Sequence, residues 1–278
     1  MKTRSSYHVH STHCDGKSTL EEMVCAALNQ GFTHLGFSSH APVPAKYDRD
    51  STMAKDAFPL YRREVLALKE KYAGKIDILL GLEYDCYEDT GFAEVIPTSE
   101  LDYYILSVHA LDKDEHMRAI DFTTKEMDYI LAHEPGGIQK VVQRYYQMLG
   151  DETLAQNPTI VGHIDLIKKN NGNNRYFNDK ELWYLDTVSD CIHKIKQTDS
   201  IVEINTGGVA RYGQNCLYPS NEILEMLRDS RIPLMLNSDA HLAENIAFYF
   251  EEAEQILKKA GIRSLVMLTG DGIDEVHL

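Results

Sequence analysis

Histidine and carboxylate side chains recur in this chain as short polar clusters at the ends of apolar runs. The first is His8-Val9-His10. It is followed by Ser38-Ser39-His40, by Glu83, by Val108-His109, by Gly162-His163-Ile164-Asp165 and by Asn237-Ser238-Asp239-Ala240-His241. In extended chain, residues i and i+2 project to the same side. His8 and His10 can therefore share one cation from a stiff platform, and Asp239 and His241 repeat the spacing. Imidazole and carboxylate donors without a thiolate cluster suit Zn, Mn or Fe, not an iron–sulfur cluster. A catalytic metal site keeps a position open for water. A lone histidine at a strand end is more often a hydrogen-bonded structural residue, and His163 with Asp165 also reads as a polar strand terminus. The recurrence is what points to a metal centre. His34, His116, His133, His193 and His277 fall outside the pattern, and His13, in the loop after the first cluster, lies between the two readings.

Such clusters need a scaffold that delivers them to one place. The chain alternates strand and helix patterns. Strands are expected at 5–10, 33–38, 76–83, 102–108, 159–164, 201–205, 233–238 and 264–268. Helices are expected at about 19–30, 59–73, 136–149, 180–197, 220–230 and 249–260. Ser18 and Glu21 have capping-box spacing before the first helix, and Gly31 stands at its stop. The run 76–82 is apolar apart from Asp77, as in a strand buried on both faces. Residues 85–101 and 110–135 are less regular, and Asn170-Asn171-Gly172-Asn173-Asn174 is loop-like but too short to divide domains. Seven or eight strands alternating with helices favour one α/β barrel over residues 1–278, with a doubly wound open sheet as the rival. Parallel barrels place their chemistry at the C-terminal ends of the strands, where these clusters fall.

Composition narrows the function classes. Of 278 residues, 43% are hydrophobic, enough for a proper core. Lys and Arg total 28 against 43 Asp and Glu, a net charge of −15. That balance argues against non-specific nucleic-acid binding and against docking on an anionic membrane. No apolar run approaches the roughly 20 residues of a membrane span, and the N-terminus lacks a signal-peptide core. Five scattered cysteines form neither a disulfide framework nor a CxxC pair, so a cytoplasmic location is expected. Nothing in the sequence sets an oligomeric state.

The sequence resembles the PHP (polymerase and histidinol phosphatase) family. Tyr7-His8-Val9-His10-Ser11-Thr12-His13-Cys14-Asp15-Gly16 is similar to that family's first motif. His40, Glu83, Val108-His109, Gly162-His163 and Ser238-Asp239-Ala240-His241 are similar to the later ones. Within the family, Gly162-His163-Ile164-Asp165-Leu166-Ile167 and Glu203-Ile204-Asn205-Thr206-Gly207-Gly208 look most like histidinol-phosphate phosphatases. A proofreading module of a polymerase is not the expected role. The resemblance implies a distorted (β/α)7, TIM-barrel-like fold and three divalent metal ions (Zn, Mn or Fe). It also implies their ligands: His8, His10, Glu83 and Asp239 for one ion; Glu83, His109 and His163 for a second; Asp15, His40 and His241 for a third. Glu83 is then the bridge.

Three carboxylates against three divalent ions leave a locally cationic centre in an acidic protein, suited to a phosphate monoester dianion. Water between two of the metals ionises near neutral pH, and the metal-bridging hydroxide, held by Glu83, is the expected nucleophile. Arg211 is the expected phosphate-binding cation, with Lys168, Lys169 and Arg175 behind it. Glu115, in the acidic run with Asp112 and Asp114, is the candidate partner for a substrate amine. The proton donor for the leaving alcohol is not identified. The expected activity is hydrolysis of L-histidinol phosphate in histidine biosynthesis. The rivals are a PHP hydrolase of nucleotides or phosphoproteins and a non-catalytic metal-binding regulator.

Overall fold

The structure is a computed structural model that describes residues 4–47, 50–113, 116–213, 216–270 and 272–278. Its elements follow in chain order. The first half comprises β1 (Arg4–Ser6), α1 (Leu20–Asn29), β2 (Phe32–Phe37), α2 (Phe58–Lys71), β3 (Asp77–Tyr87), β4 (Gly91–Phe92) and β5 (Tyr103–Ser107). Next come β6 (Ala110–Lys113), β7 (His116–Ala119), α3 (Thr124–His133), α4 (Gly137–Gln156), β8 (Ile160–Val161), α5 (Leu182–Ile195) and β9 (Ile201–Asn205). The chain ends with α6 (Gly207–Tyr212), α7 (Asn221–Ser230), β10 (Leu234–Asn237), α8 (Phe250–Lys259), β11 (Ser264–Thr269) and β12 (Gly272–His277).

Seven strands pair in the order β1-β2-β3-β5-β8-β9-β10, all parallel. The first and last strands are joined by a parallel bridge between Val9 and Ala240, with His10 N–H donating to Ala240 O at 3.0 Å. The sheet thus curls into a nearly closed (β/α)7 barrel, and the open-sheet alternative is excluded. No described helix is long and apolar enough to cross a membrane.

Strand alternation divides the core into two layers. Leu35, Ile78, Leu80, Leu106, Val161, Val202 and Leu236 face outward onto the helices. Tyr7, Leu79, Tyr103, Ile105, Ile160, Ile201 and Met235 fill the barrel interior. Tyr103 takes up much of that space. A Cβ on Gly36 or Gly81 would lie 2.4 or 2.5 Å from its ring or hydroxyl, so only glycine fits at either position. Its hydroxyl donates to Tyr7 O at 2.6 Å.

The expected eighth strand does not join the barrel. Residues 264–269 pair antiparallel with β12, and Met267 and Leu268 plug the end of the barrel opposite the site. Tyr7 hydroxyl donates to Leu268 O there. The capping box also differs by one residue from expectation: Thr19 and Glu22 form it, with Thr19 N to Glu22 Oε2 at 2.7 Å. Ser18 instead accepts from Ala243 N. The two less regular stretches hold β4, the β6–β7 hairpin and α3.

Candidate metal centre

The strand ends converge on one mouth of the barrel. β1 stops at Ser6, yet the alternation continues: His8 and His10 face inward, fully buried, while Val9 packs outward in the core. Glu83 lies within the long β3, His109 follows β5, His163 follows β8, and Asp239 and His241 follow β10. Asp239 adopts a positive φ of 46°, an uncommon conformation for a residue with a side chain. Gly207 leaves it room, since a Cβ there would meet Asp239 Cβ at 2.7 Å.

Glu83 is 2% exposed and stands at the middle of this arrangement. Its Oε2 lies 3.1 Å from His40 Nδ1, 3.2 Å from His8 Nε2 and 3.5 Å from His10 Nε2. Its Oε1 lies 3.2 Å from His163 Nε2 and 3.4 Å from His109 Nε2, and accepts from Ser107 Oγ at 2.7 Å. Asp239 Oδ1 is 3.2 Å from His10 Nε2 and 3.7 Å from His8 Nε2. Asp15 Oδ1 is 3.2 Å from His241 Nε2 and 4.0 Å from His40 Nε2. Four overlapping donor groups of cation-binding size result: His10, Asp15, His40 and His241; His8, Glu83 and His163; His8, His10 and Asp239; His40, Glu83 and His109.

His8 Nε2, His10 Nε2, Glu83 Oε2 and Asp15 Oδ1 are buried without a hydrogen-bond partner. Buried polar atoms are ordinarily paired, and lone pairs converging in a buried site suit a cation. His13 does not take part: its Nε2 lies 2.8 Å from Glu64 Oε2, its ring against Tyr61. Asp15 is the loop residue that reaches inward, and Gly16 allows the turn, because a Cβ there would meet Ser11 N at 2.5 Å.

Two imidazoles are oriented from behind. His8 Nδ1 donates to Glu203, 3.1 Å from Oε1 and 3.0 Å from Oε2, which directs Nε2 to the centre. His109 Nδ1 donates to Asp85 Oδ1 at 2.6 Å, with the same effect. Such outer carboxylates set the tautomer and basicity of a liganding histidine. The two acids were recognisable as chemistry only in part. Glu203 stands between Val202 and Ile204 in a buried strand, and Asp85 stands two residues from Glu83, hence on the same face.

The electrostatics fit this picture. Burial opposes ionisation of Glu83, but His8, His40 and His109 hold its carboxyl well below the usual range. Asp239 is likewise lowered, against burial, by Arg211 and His8. Burial, reinforced by His241 and His40, lowers His10 to about 3. His109 rises to about 9 because Asp85 and Glu83 outweigh its burial.

A cleft of about 690 Å³ opens over the cluster. Arg211 lines it, with Nη2 2.8 Å from Asp239 Oδ2 and Nη1 2.8 Å from His241 Nδ1. Lys169 lines it too, paired with Asp121 at 3.0 Å. The other two expected phosphate-binding cations are held elsewhere. Lys168 is drawn to Asp165 at 2.7 Å and to Leu217 O, and Arg175 pairs with Asp128 on the surface. Neither is among the cleft's described lining residues, which do include Lys17, Phe122, Tyr212 and Tyr218, none of them anticipated. Glu115 lies outside the described residues.

A parallel barrel with a histidine–carboxylate cluster at one mouth is the architecture of a metallohydrolase class, and the chain belongs to the PHP domain family, whose model matches residues 6–207. Asp239 and His241 lie beyond that match and are brought to the centre by the fold. The histidinol-phosphatase of Bacillus subtilis (strain 168) is 30% identical over 260 residues, spanning 88% of this chain and 96% of that one. A Schizosaccharomyces pombe protein named "Probable histidinol-phosphatase" is 28% identical over 280 residues, spanning 95% of this chain and 89% of that one. The fold is similar to that of histidinol phosphate phosphatase from Lactococcus lactis, crystallised with Zn, L-histidinol and phosphate. The TM-score is 0.72 at 18% identity, covering 99% of this chain and 100% of that one.

Proposed function

We propose that this chain is a metal-dependent histidinol-phosphatase, hydrolysing L-histidinol phosphate to L-histidinol and phosphate. The observation that carries the hydrolytic reading is Glu83, whose two oxygens face separate groups of histidines. The choice of leaving alcohol draws on the near-full-length likeness to the Bacillus subtilis enzyme.

On this reading His8, His10, Asp15, His40, Glu83, His109, His163, Asp239 and His241 hold divalent ions, three in number, with Zn, Mn and Fe all compatible with the donors. When bound, the ions supply Lewis-acid stabilisation of the phosphoryl oxygens and make a nucleophile available from water at neutral pH. Glu203 and Asp85 keep the imidazoles of His8 and His109 pointed inward. Arg211 and Lys169 give the cleft positive charge for the phosphate dianion. A histidine that coordinates through Nε2 must donate from Nδ1, and Asp239 O, 3.1 Å from His241 Nδ1, is the acceptor at hand. With His241 holding a metal, Arg211 Nη1 would be free to donate to a substrate oxygen while Nη2 keeps Asp239 Oδ2. Residues 1–278 act as one catalytic unit, supported by a barrel that draws site residues from 8 to 241. A cytoplasmic location is part of the same reading, supported by five unpaired cysteines.

Metal analysis of the purified protein, combined with a substrate panel, tests this. L-Histidinol phosphate is expected to give the highest kcat/KM against a nucleotide and a phosphotyrosine peptide, and chelation is expected to abolish turnover. A better nucleotide or phosphopeptide substrate overturns the histidinol assignment but leaves phosphoester hydrolysis standing. Metal binding without turnover of any phosphate ester leaves a regulator.

A further inference from the structure

Tyr218 is 1% exposed and forms part of the wall of the cleft. Its backbone exchanges two hydrogen bonds with Asn205: Asn205 N to Tyr218 O at 2.7 Å, and Tyr218 N to Asn205 O at 3.1 Å. Its ring is held on three sides. His163 meets it edge-on, with centroids 6.3 Å apart. Lys168 Nζ lies 5.2 Å from the ring centroid. Gly208 lies beneath, where a Cβ would come 2.6 Å from Tyr218 Cε2.

The hydroxyl of this fixed ring is buried and has no hydrogen-bond partner. The neighbouring buried tyrosines behave differently. Tyr7, Tyr61, Tyr84 and Tyr103 donate to the carbonyls of Leu268, Gly81, Ile96 and Tyr7, and Tyr146 pairs with Tyr184. Among the described residues Tyr218 is the one buried tyrosine left unsatisfied. Leaving a buried hydroxyl unpaired is costly, so a residue lining a binding cleft in that state is prepared for a ligand acceptor. A phenol keeps its proton at neutral pH and is therefore a donor.

Its position says which acceptor. On one side Tyr218 adjoins His163 and the metal cluster, where a phosphoryl group would sit. On the other, Lys169 lies 4.8 Å from the Tyr212 ring and pairs with Asp121, and Tyr212 and Phe122 are exposed cleft-lining aromatics. Tyr218 thus stands between the cluster and that rim, so an ester with its phosphoryl group on the cluster and its organic group toward the rim would carry its P–O–C link past this wall of the cleft.

We propose that the Tyr218 hydroxyl donates a hydrogen bond to the ester oxygen and stabilises the charge that gathers there as the P–O bond breaks. The proposal rests on the phosphoester-hydrolase reading and makes Tyr218 a catalytic residue. A hydrogen bond to an oxygen that becomes an alkoxide is worth about ten- to a hundredfold in rate. A nitrophenolate leaving group carries its own charge and has much less need of it.

Tyr218→Phe is compared with wild type on L-histidinol phosphate and on p-nitrophenyl phosphate, with metal content, melting temperature and inhibition by inorganic phosphate measured alongside. The expected result is a ten- to hundredfold fall in kcat for the alkyl ester, at least tenfold larger than the fall for the aryl ester, with metal content and phosphate inhibition retained. Equal losses on both esters, weakened phosphate inhibition, or unchanged kcat on the alkyl ester overturns the proposal. If wild type hydrolyses another alkyl phosphate instead of histidinol phosphate, the substrate assignment fails and that ester takes its place in the comparison. If wild type hydrolyses no phosphate ester, both readings fail together.

Discussion

Glu203→Gln is the perturbation that most directly tests how the centre is held together. Glu203 is fully buried and touches no solvent. Its Oε1 accepts from His163 N at 2.7 Å, Asn205 Nδ2 at 2.8 Å and His8 Nδ1 at 3.1 Å. Its Oε2 accepts from His8 Nδ1 at 3.0 Å and from Asn237 Nδ2 at 2.9 Å. Glutamine has nearly the same shape but one acceptor oxygen. Placed at the Oε1 position, that oxygen keeps His163 and Asn205, and the new amide then meets the His8 and Asn237 donors. His8 Nδ1 can stay with that oxygen, but Asn237 Nδ2 loses its acceptor and faces the buried amide's own N–H groups, at a cost of about 1–3 kcal/mol or more. His8 also loses the carboxylate that fixes its tautomer, and loss of such an outer partner weakens metal binding about 10–100-fold. The packing cost falls on the metal-free and metal-loaded protein alike and cancels from the affinity. Competition against a graded chelator, well below the melting temperature, therefore reads the orienting effect alone. The expected outcome is a lower melting temperature together with that loss of affinity. A variant that melts lower but binds metal as wild type does refutes the orienting role.

Glu83→Gln is expected to impair metal retention and turnover more than His40→Ala, because a neutral amide bridges two donor groups poorly. Full metal content with near-normal turnover in Glu83→Gln would reject the bridge. Arg211→Ala is expected to lower kcat/KM for phosphate esters about ten- to a hundredfold while the metals stay bound, and unchanged efficiency would return it to a purely structural partner of Asp239. The chelated protein is expected to be most stable near the ordinary histidine pKa of about 6.5. His10, lowered to about 3, contributes stability that is present above 6.5 and lost as pH falls toward 3. His109, raised to about 9, contributes stability that is full below 6.5 and lost as pH rises through 9. Chemical denaturation across this range reads the profile, and a monotonic rise with pH would contradict the opposed pair.

The i, i+2 spacing of His8 and His10, and the arrival of polar residues at the end of each apolar run, are properties of local chain. They were legible because strand alternation and barrel polarity depend on the order of residue types alone. The alternating pattern also located the strands and helices to within a few residues in most cases. It could not say that 264–269 would leave the barrel, since an apolar strand that plugs a barrel end has the same pattern as one that joins the sheet. Likewise, nothing local separated Lys169, in the cleft wall, from Lys168, turned to Asp165, or His13, at Glu64, from Asp15, facing His241. Those outcomes depend on which partner each side chain meets across the fold. The same holds for Glu203, which sits in a strand almost two hundred residues after His8 yet orients it, and for Tyr218, whose unsatisfied hydroxyl exists only relative to the neighbours it does not have. Residue types and their spacing determined the chemistry available to this chain. Long-range packing decided which members of that set face one another and which are held apart.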